Sequence, residues 1–260
     1  MNAIKQLTAA IATAAMCLTV TATVSAQAIA RSIVPNGGFE MLTKCPDELG
    51  QIERAKGWCY NFGVSPDLYA TCAKNKDVSV PCNTDFCQNP SEGNNYAGII
   101  VFSTQKIPKY ENGYYYSEDF WIKLKSPLSK GTRYELLMDL RVTDSVFCEA
   151  IGYLIARFSA KPPKDFNWPI WYGKKGFMLK VPVTNVTAEG AWMQVSIEFE
   201  AERDAEYFQF GLIRPFFTKK EYERTAAFYA KNKKPNMIYI LVDEIKLFEI
   251  VKIKNIFNKY

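Results

Sequence analysis

The chain has 260 residues, 48% of them hydrophobic and 14% aromatic, with a formal net charge of +5 and no histidine. Without histidine there can be no Ser-His-Asp or Cys-His nucleophile pair and none of the common histidine-ligated zinc sites. The charge is mild and its lysines are scattered, which gives no nucleic-acid footprint, while the length and apolar share leave room for one large β domain or two small ones with a substantial core.

Residues 1–28 read as a secretory signal peptide. Lys5 supplies a positive start, residues 7–24 are apolar or small, and Val24-Ser25-Ala26 and Ala26-Gln27-Ala28 are both small-x-small cleavage sites. Met16 before Cys17 argues against a lipoprotein site. No later run is long and apolar enough to span a bilayer. Residues 29–260 then read as a single exported domain.

Just past the cleavage sites, "SIVPNGGFEML" (32–42) is a tight turn that delivers Glu40 beside Phe39. Cys45, Cys59, Cys72, Cys82, Cys87 and Cys148 remain after cleavage, and an even number in an exported chain reads as disulfides. Sequence leaves open which of about fifteen pairings forms; the set we take is Cys45–Cys72, Cys82–Cys87 and Cys59–Cys148. Zinc is the weaker alternative, since there is no Cys-x-x-Cys and no histidine.

From residue 95 the pattern is β. "YAGIIVF" (96–102) is a nearly continuous apolar run, as in a strand covered on both faces. "YYYSEDFWIKLKSPL" (114–128) alternates late, Phe120, Ile122 and Leu124 against Trp121, Lys123 and Lys125, and Pro127 is expected to end the strand. After a turn at Gly131, Tyr134, Leu136, Met138 and Leu140 share a face. Further strands are expected in "AIGYLIARFSA", "AWMQVSIEFEA", "EYFQFGLI" and "MIYILVDEIKLFEI". Many short strands separated by turns describe a β-sandwich. Two insertions interrupt it. Residues 160–187 form a long loop rich in proline and aromatics. Residues 215–236 predict a helix, with a capping box at Thr218 to Glu221, a Tyr222/Ala226/Tyr229 face and a stop at Pro235.

Sugar recognition favours aromatic faces beside hydrogen-bonding groups. Trp168, Trp171 and Tyr172, with Asp165 and Asn167, make the first candidate platform, and Tyr114, Tyr115, Tyr116 and Trp121 a second. Trp58 and Trp192 read as core. Glu198, Glu200 and Glu202 alternate on one strand, but no carboxylate is marked as a catalytic acid, so the chain reads as non-catalytic, a carboxylate-pair glycosidase being the remaining enzymatic option.

Taken in order, "VPNGGFE", Gly57-Trp58, "PDLY" (66–69), "GNNYAGI" (93–99), "LKSPLSKGTRYELLMDL", "AWMQVSIEFEA", "YFQFGL" and "LVDEIKLFE" resemble the secreted jelly-roll domains of Bacteroidota. Those domains are similar to carbohydrate-binding modules of galactose-binding-like fold and often precede an OmpA-like domain. The chain departs from them in its two insertions and in ending after the jelly roll. The resemblance implies an all-β jelly-roll sandwich, here with one inserted helix and a long aromatic loop. It also implies a structural calcium ion held by Glu40 and Asp243, with Glu92 and the carbonyl near Asn95 as further ligands. The function it implies is glycan binding; the alternative is a protein-interaction subunit of an outer-membrane or cell-surface complex of the secretion, adhesion or gliding type.

Overall fold

The computed structural model describes residues 31–61, 63–103, 116–142, 153–163, 176–183, 191–211 and 237–251, and within 212–236 only positions 223, 227, 230 and 231. The strands are β1 (Trp58–Tyr60), β2 (Asp67–Ala70), β3 (Asn95–Ser103), β4 (Asp119–Leu128), β5 (Arg133–Val142), β6 (Tyr153–Ser159), β7 (Gly176–Pro182), β8 (Met193–Glu200), β9 (Ala205–Gly211) and β10 (Met237–Glu249). They form two five-stranded sheets, ordered β1-β4-β9-β6-β7 and β2-β3-β10-β5-β8.

All pairings between strands are antiparallel, and four of them nest: β6 with β7, β5 with β8, β4 with β9 and β3 with β10. A long hairpin folded back over itself in this way is the jelly-roll winding. It puts β3, near the start of the sandwich, beside the last strand, β10, in the middle of one sheet.

The pleat sorts the side chains. Phe120, Ile122 and Leu124 of β4, Phe208 and Phe210 of β9, and Ala156 and Phe158 of β6 face Leu136, Met138, Leu140, Ile240 and Val242 across the sandwich in one continuous core. Each large side chain buried there contributes roughly 1.5–3 kcal/mol. Phe39, Trp58 and Phe120 plug one end of it, with ring centroids 5.0–6.0 Å apart.

A second apolar cluster lies on the outer face of the other sheet, where Tyr69, Tyr96, Tyr239 and Leu241 pack with Val78, Val80 and Phe86. The cysteine-rich segment supplies that cover. It is stapled by the Cys45–Cys72 and Cys82–Cys87 disulfides and registered on β2 through the Ala70–Ser79 bridge. This is why β3 is apolar on both faces. Gly98 of β3 lies under the Tyr239 ring: a Cβ there would sit 2.1 Å from the tyrosine oxygen.

Three expectations change. Pro127 does not end its strand: β4 runs on to Leu128, and Pro127 falls where the β4–β9 ladder breaks register, so no ladder bond is lost. The long aromatic loop is shorter than expected, because Gly176–Pro182 is an edge strand paired along its length with β6. Two short strands, β1 and β2, lie in the cysteine-rich region, where none was expected. Glu223, Ala227, Ala230 and Lys231 are helical and exposed, as the helix expectation requires; its capping residues lie outside the described residues. So does Cys148, the expected partner of Cys59. No helix among the described residues is long and apolar enough to cross a membrane.

Candidate functional site

The turn at residues 36–40 is set by Asn36. Its side chain accepts from the Met41 amide at 2.8 Å and donates to the Met41 and Lys56 carbonyls. Asn36 and Phe39 both take positive φ, 53° and 59°, a local cost offset by burying the Phe39 ring completely. Trp58 Nε1 donates to the Asn36 carbonyl at 2.8 Å, tying turn to core. The turn is clasped to β10: Ile245 N donates to Gly37 O at 3.1 Å and Ile33 N to Leu247 O at 2.9 Å.

The acidic residues expected here are drawn to one loop. Glu40 Oε1 accepts from the amides of Asn94 (2.8 Å) and Asn95 (3.0 Å). Asp243 Oδ2 accepts from the Ser91 amide at 2.9 Å and the Glu92 amide at 3.4 Å, and Oδ1 from Glu244 N. Asn95 donates its side-chain amide to Phe39 O. Glu92 turns instead toward Lys246, at 3.7 Å, which also pairs with Glu244 at 2.7 Å. Asp243 is fully buried, and burial pushes its carboxyl up to about 8. Two glycines leave the room for these side chains. A Cβ on Gly93 would lie 2.5 Å from Glu40 Oε1, and one on Gly38 would lie 2.2 Å from Glu244 Oε1 and 3.8 Å from Asp243 Oδ1. Among the described residues no three His, Cys, Asp or Glu side chains converge as a metal-binding group.

The outer face of the β1-β4-β9-β6-β7 sheet carries a different chemistry. Register places Cys59, Trp121, Gln209, Arg157 and Met178 in one row across all five strands. The polar members are linked. Asn61 Nδ2 and Gln209 Nε2 both donate to Asp119 Oδ1, at 2.9 and 2.8 Å, and Arg157 Nη1 donates to Gln209 Oε1 at 3.1 Å. Aromatics border this relay. Trp121 meets Tyr207 edge-on at 5.9 Å, and Tyr153 lies under Lys180, whose Nζ is 4.4 Å from the ring centre. Lys123 stands 5.8 Å from the Tyr207 centroid. Gln209 is itself 4% exposed, so it orients the half-buried Arg157 rather than meeting a ligand; aromatic faces beside an oriented guanidinium suit a hydroxyl-rich ring.

A third group is buried. Asp67 accepts from Gly50 N at 2.6 Å and from the Tyr239 hydroxyl, which contacts Tyr69 at 3.0 Å. Glu118 accepts from Ile100 N at 2.8 Å, from Ser65 and from Tyr116. Burial raises both carboxyls, Asp67 to about 7. They are 7% and 1% exposed, out of reach of a polymer, so a raised carboxyl here does not make a glycosidase acid.

Trp168, Trp171, Tyr172, Asp165 and Asn167 lie outside the described residues, as do Tyr114 and Tyr115. Tyr116 is tied to Glu118 and Ser65 rather than presented as a platform. Trp192 is half-buried, anchored by Nε1 to Asn89 O at 2.8 Å. Sequence reasoning missed Gln209, Arg157 and Asp119, because each sits on a different strand and only register joins them.

No protein-family model and no curated protein matches the chain. Among solved structures it is similar to the CBM22-1 xylan-binding domain of Xyn10C from Paenibacillus barcinonensis, at 10% identity and TM-score 0.39, covering 83% of this chain and 93% of that one. It is also similar to the K1 cleaved adhesin domain of Lys-gingipain from Porphyromonas gingivalis W83, at 12% identity and TM-score 0.36, covering 75% and 92%. A third is the N-terminal cellulose-binding domain of β-1,4-glucanase C from Cellulomonas fimi, at 13% identity and TM-score 0.32, covering 76% and 91%. Likeness at these scores carries no weight for function, which has to come from the residues themselves.

Proposed function

We propose that the chain is a non-catalytic, exported glycan-binding domain whose ligand lies along the outer face of the β1-β4-β9-β6-β7 sheet. The observation that carries this reading is the in-register row Trp121–Gln209–Arg157, with its relay to Asp119 and Asn61 and the flanking Tyr207 ring. The connection holding Trp168, Trp171 and Tyr172 leaves and returns at the paired residues Ser159 and Gly176, two rungs along the same sheet from Arg157 and Met178. In this reading those aromatics, with Asp165 and Asn167, extend the same site. The absence of histidine and the inaccessibility of Asp67 and Glu118 support a binding role over a hydrolytic one. The two disulfides fit an oxidising compartment outside the cytosol. Within it we place the domain in the periplasm, at the outer membrane or on the cell surface.

The test is a polysaccharide array with the wild type and with Tyr207→Ala and Trp121→Ala. Losing one stacking face lowers affinity about tenfold, with the melting temperature checked alongside. A blank array for the wild type, with capture of an envelope protein instead, would replace this reading by that of an interaction subunit.

We further propose that a structural calcium ion braces the clasp, held by Glu40 and Asp243 with Glu92 and main-chain oxygen near Asn95. The support is the buried Asp243 carboxylate, which has no ion pair among the described residues, all-oxygen donors, and the room left by Gly38 and Gly93. Calcium raises the melting temperature and a chelator lowers it if this is so; an identical melting curve in both conditions removes the ion from the account.

A further inference from the structure

Building on the proposed glycan site, we infer that its ligand is an acidic polysaccharide, recognised through a carboxylate or sulfate group by Arg157, with Lys180 on the neighbouring strand. The relay fixes the guanidinium. Asp119 orients the Gln209 amide, and the Gln209 oxygen takes one Arg157 N–H, at 3.1 Å. A guanidinium has five donors in a rigid fork shaped for planar oxyanions. No described residue forms an ion pair with Arg157, so an oriented, permanently charged fork is left without its complement on a half-buried face.

The neighbouring cations share that face. Lys180 stands on β7 two residues from Met178, the cross-strand partner of Arg157, and Lys123 on β4 two residues from Trp121. Both extend over aromatic rings, Lys180 over Tyr153 and Lys123 over Tyr207. An ammonium seated on a ring face is held where the ring would meet a sugar. Of the acids on this face, Asp119 is already occupied by two amide donors and Glu206 by Lys123 at 3.2 Å. Two rings of this face, Tyr153 and Tyr207, thus each carry a cation over the ring. Neutral polysaccharide would leave the Arg157 fork desolvated without an anion, an unfavourable arrangement.

The experiment measures binding of the full exported chain to five probes at low and high salt. They are polygalacturonate (carboxylates on sugar), a sulfated galactan (sulfate esters on sugar), neutral xylan, a neutral galactan, and poly-glutamate (carboxylates without sugar). The inference expects one of the two acidic polysaccharides to bind at least about tenfold more tightly than both neutral ones, with affinity falling as salt screens the charges. Which acidic probe wins identifies the anion. Arg157→Gln should erase at least about tenfold of that preference; Lys180→Gln, farther from the relay, should weaken it less. Equal, salt-independent binding of neutral and acidic polysaccharides would overturn the acidic specificity while leaving glycan binding in place. Poly-glutamate binding as tightly as polygalacturonate, or full acidic binding by the Arg157→Gln protein at unchanged melting temperature, would also overturn it. Failure to bind any polysaccharide would remove the glycan reading and this inference together.

Discussion

Trp58 and Trp121 sit on adjacent strands of one sheet, and at first sight in sequence both are simply aromatic strand residues. Their surroundings separate them. Trp58 is 1% exposed, stacks on Phe39 and gives its indole N–H to the Asn36 carbonyl. Trp121 points to the outer face, and its indole N–H is buried without a hydrogen-bond partner. Trp58→Phe therefore removes a donor from a buried carbonyl and shrinks the plug, at a cost of about 2–4 kcal/mol. Trp121→Phe removes a donor that bonds nothing, and its cost is within about 1 kcal/mol. Denaturant unfolding of the two variants checks this; equal losses would mean that the Asn36 bond does not hold the turn. The same difference explains why Trp58 could be read as core from sequence. It follows a turn glycine in a cysteine-rich stretch with few other large apolar residues, so little else could fill that end of the sandwich.

The cysteine-rich segment meets the sandwich along a short bridge, Ser65 to Asp67, gripped at one end by Glu118 and at the other by Tyr239 and Gly50. The groups facing this seam are Tyr69, Tyr116, Tyr239, Asp85 and the two carboxyls themselves, and among the described residues neither carboxyl is hydrogen-bonded to a cation. Burial lifts Asp67 from 3.8 to about 7 and raises Glu118; it also lifts Asp243, at the clasp, to about 8. The folded state thus binds more protons than the unfolded one between about pH 4 and 8, so the contribution of these groups is full below pH 4 and is lost as pH rises through 7 and 8. Asp47, held low chiefly by its bond to Arg54, stays ionised across that range and does not oppose the trend. The melting temperature is expected to fall from pH 5 to pH 8.5, and Asp67→Asn to flatten the part of the slope below about pH 7; a flat wild-type profile would refute the seam's role. Bound calcium would remove the Asp243 share of the slope. Elements of this kind mark the limit of sequence reading. The strands β3, β4, β5, β6, β8, β9 and β10 are legible because seven or more residues alternate or run apolar. The three-residue β1 and four-residue β2 are too short to show a period. β7 hides because Phe177, Met178, Leu179 and Val181 are apolar on both faces, inside a stretch that otherwise reads as loop. The meeting of the Phe39 turn with the last strand was implied by the family resemblance and by no periodicity in the chain. The Arg157–Gln209–Asp119 relay was not legible, since it exists only in the pairing of strands far apart in the chain.

At the scale of the molecule, two layers of organisation rest on different forces. The sandwich holds itself by nested strand pairs and a continuous core. The cover over its second sheet, residues 71–91, has only a small cluster around Phe86, Val78 and Tyr69, and relies on covalent closure. In the chain-entropy model, a loop with the 27-residue separation of Cys45–Cys72 gains roughly 3–4 kcal/mol. That is large beside what the few apolar side chains of the cover can supply. Reducing both disulfides should therefore open the cover before the sandwich unfolds. The observable is limited proteolysis: trypsin leaves the oxidised protein intact at Lys74 and Lys76 and cuts there after reduction, while the far-UV β signal persists. The Cys82→Ser, Cys87→Ser protein should give an intermediate cleavage rate, because Phe86 loses its anchor while Cys45–Cys72 still closes the larger loop. If the reduced protein resists cleavage, contacts of Phe86, Trp192 and Asn89 suffice to hold the cover, and the bonds act only on the unfolded chain. If β signal and cover are lost in one step, the two layers are a single cooperative unit, and the proposed ligand face would depend on the disulfides as much as the cover does.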